Sequence, residues 1–279
     1  MFQPKKLFFG TAGRPVSTEG DTIAGIKQVR KLNLDAMELE FVHSVNISKE
    51  KAPAVRETAK KSNVLLTCHG QYYINLASPD KKKEKESVER ILKAARIASL
   101  CGAWSLCFHA AFYQGKPKEE VYNTVRKHLQ GIVKTLRNEG HDLWLRPETT
   151  GRVTQFGELD ELLRLSSDVE QVLPCVDFSH LHARSNGAFN SYEEFSGVLA
   201  KIEKELGKAG IKNMHIHVSG IAYGEKGEKH HLNLKESDLR WKEIMRALKD
   251  FGAHGVVISE SPNIEDDALL MKEGYNKLN

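Results

Sequence analysis

Three carboxylates close three short apolar runs: Glu148 ends LWLRPE, Asp177 ends QVLPCVD and Glu260 ends GVVISE. A carboxylate suits an apolar interior only when it is paired or holds a metal. Histidines mark the same kind of place. His69 follows VLLTC, His109 follows WSLCF, and His180 stands three residues after Asp177 in the stretch Asp177-Phe178-Ser179-His180. His215 opens HIHVSG, with His217 two residues on. Side chains alternate faces along a strand, so these two can point to the same side. Taken singly, each carboxylate also reads as a helix cap or ion-pair partner, and each histidine as a structural one. Their recurrence at equivalent places favours a metal cluster. Nitrogen and oxygen donors of this kind suit zinc or another first-row divalent ion. The four cysteines, Cys68, Cys101, Cys107 and Cys175, have no CxxC spacing and do not share the strand-end pattern. They are expected as buried free thiols of a reducing compartment, not as zinc ligands. The chain has no G-x-S-x-G, Walker A or G-x-G-x-x-G motif.

The elements that must position these groups follow from hydrophobic period. Eight short apolar runs read as strands: Lys6–Gly10, Ala36–Phe41, Val64–His69, Ser105–His109, Leu143–Glu148, Val172–Asp177, Asn213–Val218 and Gly255–Glu260. Between them, Thr22–Leu32, Ser87–Leu100, Val121–Leu136, Tyr192–Leu206 and Ser237–Asp250 place apolar residues at helical spacing. This alternation predicts an α/β fold with a parallel sheet, a (β/α)₈ TIM barrel with its chemistry at the C-terminal ends of the strands. The 279 residues match the ~250 that such a barrel needs, so one domain over residues 1–279 is expected. The net charge of +4 leans weakly towards an anionic partner. The N-terminus has no signal-peptide pattern, and no apolar run approaches the ~20 residues of a membrane span. A cytoplasmic protein with no membrane partner is expected, and the polar outer helices permit a monomer.

Read in order, the segments resemble the endonuclease IV family of apurinic/apyrimidinic-site DNA repair enzymes, in its archaeal form. The resemblance is carried by FGTAG at Phe9–Gly13, CHGQYYINLASPD at Cys68–Asp80, FHAAFYQG at Phe108–Gly115, PETTG at Pro147–Gly151, VDFSHLHAR at Val176–Arg184, HIHVSG at His215–Gly220, GEKHHLNL at Gly227–Leu234 and SESPN at Ser259–Asn263. It implies a xylose-isomerase-like barrel that hydrolyses DNA 5′ to an abasic site and leaves a 3′-hydroxyl. It also implies two or three zinc ions. His69 and His109 would hold one, and Glu148 would bridge to a second completed by Asp177, His215 and Glu260. His180 would hold a third, with Glu148 and Glu260 as the catalytic carboxylates. The family supplies Asp-x-His to that third ion, whereas this chain reads Glu228-Lys229-His230-His231. Spacing favours Glu228 and His230, while the Leu-Asn-Leu that follows favours His231, which we take as the ligand. His182 and His217 are unused in the bacterial scheme and stand as substitutes.

The partner implied is double-stranded DNA containing an abasic site. Tyr72 and Tyr73 would stack or wedge beside the lesion, near Asn75, although one of them also reads as packing on the barrel rim. Arg184, Lys5, Lys6, Lys81–Lys83, Arg152 and Lys229 would offer phosphate contacts that position without specifying. The lysine run also reads as a solvated helix start. A second reading is a sugar isomerase or epimerase of the xylose-isomerase-like barrels, which uses Glu148, Asp177, His215 and Glu260 alone. A third is a barrel that binds damaged nucleic acid without cutting it.

Overall fold

The computed structural model describes residues 3–278. The chain begins with β1 (Leu7–Ala12), α1 (Thr22–Lys31), β2 (Ala36–Glu40), α2 (Ala52–Ser62), β3 (Leu65–His69), α3 (Lys81–Leu100) and β4 (Ser105–Phe108). A two-residue strand β5 (Ala111–Phe112) precedes α4 (Lys118–Asn138) and β6 (Trp144–Pro147). Then come β7 (Gln155–Phe156), α5 (Leu159–Asp168), β8 (Cys175–Asp177), α6 (Phe178–Arg184), α7 (Tyr192–Ile211) and β9 (Met214–Val218). A hairpin of β10 (Gly220–Gly224) and β11 (Gly227–Leu232) leads to α8 (Trp241–Asp250), β12 (Gly255–Ser259) and α9 (Glu265–Asn276).

Eight strands pair side by side in the order β6-β4-β3-β2-β1-β12-β9-β8. Their pairings are parallel. Parallel bridges Leu145–Val172 and Glu148–Cys175 join the two edges into a ring. This is the α/β TIM barrel expected from the eight runs. β8 is shorter than its run because Pro174 has no N–H to give the ladder. Among the described residues, four helices lie outside the expected set. The stripe of α2 is only Ala52, Val55 and Ala59, and α6 is a seven-residue turn of chain. The other two are α5 and α9.

The helices cover the barrel with their apolar faces, as Ile26 and Val29 do from α1 and Leu129, Ile132 and Leu136 do from α4. Asp21 and Asp80 cap α1 and α3 by accepting from backbone N–H groups of the first turn. Lys81–Lys83 is the exposed start of α3, a solvated helix start. The barrel interior is less ordinary. Branched apolar side chains usually fill it. Here a small apolar cluster of Ala36, Trp104, Val256 and Ile258 shares it with buried Glu38, Ser105, Arg146, His215 and His217. Among the described residues, no helix is long and apolar enough to cross a membrane.

Candidate metal centre

Glu148 directly follows β6 and is 1% exposed. Its two oxygens face two pairs of histidines. Oε2 lies 3.4 Å from His69 Nε2 and 3.3 Å from His109 Nε2. Oε1 lies 3.3 Å from His180 Nδ1 and 3.2 Å from His217 Nδ1. Asp177 Oδ2 is 3.1 Å from His180 Nδ1, and Glu260 Oε2 is 3.4 Å from His217 Nδ1. Farther out, His180 Nε2 is 3.4 Å from Glu228 Oε2. Among the described residues, four overlapping groups bring their donor atoms within 4.8 Å of one another: His69, Cys107 and Glu148; His109, Glu148 and His180; His180, Glu228 and His231; and Glu148, Asp177, His217 and Glu260.

Several imidazoles are oriented from behind. His69 Nδ1 lies 2.7 Å from the Gly70 carbonyl, His231 Nδ1 3.1 Å from the Glu260 carbonyl, and His217 Nε2 2.9 Å from Glu38 Oε1. One ring nitrogen can thus donate to a fixed acceptor while the other keeps its lone pair for the centre. That is the usual arrangement of a metal-binding histidine.

The electrostatics fit a cation. Buried oxygens Glu148 Oε2, Asp177 Oδ2 and Glu260 Oε2 have no hydrogen-bond partner. Without an ion, protons on the imidazoles supply the positive charge. Burial opposes protonation of His69, but Glu148, Glu40 and Glu260 outweigh it and push the group up to about 10. His180 is likewise held well above its ordinary value against burial, by Asp177, Glu148 and Glu228. The imidazoles hold Glu148 well below the carboxylate range and Glu260 at about 2, again against burial. Too few cations remain for the rest. Burial lifts Asp177 to about 7 and Glu40 to about 8. A pocket that leaves acids protonated at neutral pH is short of positive charge, and a divalent ion would supply it.

Two readings of the sequence are corrected here. His215 does not join Glu148, Asp177 and Glu260; His217 does. Both rings point into the barrel, but His215 sits one pleat deeper, with Nε2 3.0 Å from Glu38 and Nδ1 3.0 Å from Ser105 Oγ. Arg184 is not available to DNA. It donates to the Thr150 hydroxyl, the Gln155 carbonyl and the Glu158 carboxylate, and so ties down the loop after β6. Asn75 is also engaged internally, with Gln114, Ala77 and Phe112. His182 turns away to Asp238 and the Phe189 carbonyl. Tyr72 and Tyr73 are 55% and 64% exposed, and the Tyr72 ring meets His69 edge-on at 5.9 Å.

A bulge separates the environments of His230 and His231. Tyr223 pairs with Glu228 and Ala222 with His230, so Lys229 is the extra residue of β11. The bulge brings Glu228 onto the face of His231 and leaves His230 exposed. Gly151 makes room, because a Cβ there would meet Glu228 Cβ at 2.7 Å. Glu38 and Glu40 lie outside the expected site residues. Their signal in the sequence is the alternation of AMELE, in which Met37 and Leu39 pack on helices while the glutamates face the other way.

Comparison with known proteins accords with the barrel fold. An uncharacterized protein of Methanocaldococcus jannaschii is 44% identical over 272 residues, 98% of each chain. A probable endonuclease 4 of Aquifex aeolicus is 24% identical over 228 residues, 78% of this chain and 79% of its own. Two solved structures share the fold. A D-tagatose 3-epimerase-like protein has a TM-score of 0.70 at 21% identity, covering 94% of each chain. Endonuclease IV from Thermus thermophilus has a TM-score of 0.69 at 19% identity, covering 95% of this chain and 97% of its own. Residues 26–279 match the family described as xylose isomerase-like TIM barrel, and the chain belongs to that family.

Proposed function

We propose that the chain is a zinc-dependent apurinic/apyrimidinic endonuclease, which hydrolyses the phosphodiester 5′ to an abasic site in duplex DNA. The observation that carries this reading is Glu148, with a histidine pair on each oxygen. A carboxylate so placed suits a bridge between two ions. Asp177, His217 and Glu260 would complete one position, and His180, Glu228 and His231 a further one. Ions held there would supply a hydroxide at neutral pH and neutralise the charge of the phosphate. The protein's own part is to orient the imidazoles through Gly70, Glu38 and the Glu260 carbonyl. It also presents two exposed tyrosines at the rim, where an aromatic face can stack on an unpaired base. The similarity to a probable endonuclease 4 at 24% identity supports the same reading.

One observation favours a second reading. Glu148, Asp177, His217 and Glu260 form a four-donor group on their own, which is sufficient for a single-metal sugar epimerase. The donors beyond those four favour the nuclease. Incubating the zinc-loaded protein with a duplex bearing one abasic analogue, and separately with ketohexoses, tests both. The nuclease reading expects a single nick and no sugar interconversion.

A further inference from the structure

Beneath the candidate centre lies a second set of donors. Cys107 on β4, Cys175 on β8, and His215 and His217 on β9 are all buried, and one donor atom from each lies within 4.8 Å of every other. We propose that Cys107, Cys175 and His215, with Glu38 beside them, form a second, closed site for a tetrahedral divalent ion, zinc by preference, inside the barrel. Cys107 Sγ, Cys175 Sγ and an His215 nitrogen supply three corners. The fourth is Glu38 Oε2, 3.0 Å from His215 Nε2 and 3.5 Å from Cys107 Sγ, while Glu38 Oε1 keeps its 2.9 Å contact with His217 Nε2. The donor set is then two sulfurs and two nitrogen or oxygen atoms.

Geometry, charge and unmet bonding all support this. Zinc–sulfur bonds of about 2.3 Å and zinc–nitrogen bonds of about 2.0 Å put tetrahedral ligand atoms roughly 3.5 Å apart, inside the observed limit. Cys107 Sγ already faces the other donors, 3.5 Å from Glu38 Oε2 and 3.7 Å from His217 Nε2. A disulfide is the competing use of the two thiols. However, β6 stands between β4 and β8, and strands two apart are separated by roughly 9–10 Å. That exceeds the ~7 Å Cα limit of a disulfide, whereas an ion spans the gap. His215 Nε2 is buried without a hydrogen-bond partner, although Glu38 Oε2 lies 3.0 Å away. Arg146, fully buried and stacked 4.7 Å from the Trp104 ring, lies on β6 between the two cysteine strands. Two thiolates and Glu38 against a divalent ion and Arg146 leave the interior neutral. Every corner is filled by protein, so the site is structural. Through His217 it abuts the upper centre, since Nδ1 of that ring faces Glu148 and Glu260.

The test is X-ray absorption at the zinc edge on the full-length, zinc-saturated protein, with cobalt(II) substitution as a second probe. We expect a sulfur shell at about 2.3 Å and a thiolate-to-cobalt charge-transfer band. Both should persist in Asp177→Asn, which disturbs only the upper centre. Both should vanish in the double variant Cys107→Ser/Cys175→Ser, with one ion fewer per chain. A zinc-saturated wild type with no sulfur shell and no charge-transfer band overturns the proposal, whether or not the double variant folds. So does a sulfur signal that survives loss of both cysteines. Neither outcome depends on what the upper centre hydrolyses.

Discussion

Glu148 is the residue on which the centre turns. Glu148→Gln keeps the shape but removes the charge that two metal positions would share. Its rate should fall by more than about 100-fold, beyond the ~10–100-fold typical of groups that only orient a ligand. Metal content should fall with it, and elemental analysis alongside a nicking assay reads both. Glu260→Gln should behave alike, and full metal with a normal rate in both variants would remove the cluster from the reaction. At the rim, Tyr72→Ala should weaken binding to abasic DNA by about 1–3 kcal/mol and leave metal content unchanged, as a titration of labelled duplex would record. Most of these residues are legible in the sequence because each ends an apolar run, where an isolated charge needs an explanation. His217 cannot be told there from His215, since alternation puts both rings inside and says nothing of depth. Glu38 and Glu40 are hidden because AMELE also reads as a half-exposed strand with polar residues outward. Arg184 misleads because composition shows a charge and not the carbonyls that occupy it.

The hairpin of β10 and β11 is the element that decides the outermost position. Its bulge at Lys229 puts Glu228 and His231 on one face. Losing either should therefore remove one ion and slow cleavage by about 10²–10³-fold, the scale of a lost charge-stabilising group, while His230→Ala should be mild. Gly151→Ala tests the support beneath. Its Cβ would meet Glu228 Cβ at 2.7 Å and Oε2 at 2.8 Å, so the hairpin must shift. We expect that variant to lose the same ion with little change in thermal unfolding. A metal count equal to wild type would mean that the hairpin holds none. A bulge leaves no mark in hydrophobic period, so the sequence alone leaves the choice between His230 and His231 open. The eight strands and the long helices are plain, because each repeats its period over its whole length. Short α6 and the small-residue stripe of α2 give too little period to detect.

For the molecule as a whole, the buried charge couples folding to pH and to metal. In the metal-free chain His69 rises from 6.5 to about 10. Its stabilising contribution is complete below about pH 6.5 and is lost as pH climbs through 10. Asp177, raised from 3.8 to about 7, acts in the same direction over its own range. Thermal unfolding in chelator should therefore show stability falling from pH 6.5 to 10. Zinc should flatten that fall, because ligands bind it deprotonated and the ion replaces the protons. Equal slopes with and without zinc would contradict this. The most direct test of the central claim is cleavage itself. A duplex bearing one abasic analogue is incubated with the zinc-loaded protein, with the chelated protein, and with the chelated protein after zinc is restored. The zinc-loaded protein should make one nick 5′ to the lesion with a 3′-hydroxyl end, abolished by chelation and recovered with zinc. An intact strand in the presence of fully metal-loaded protein would contradict it.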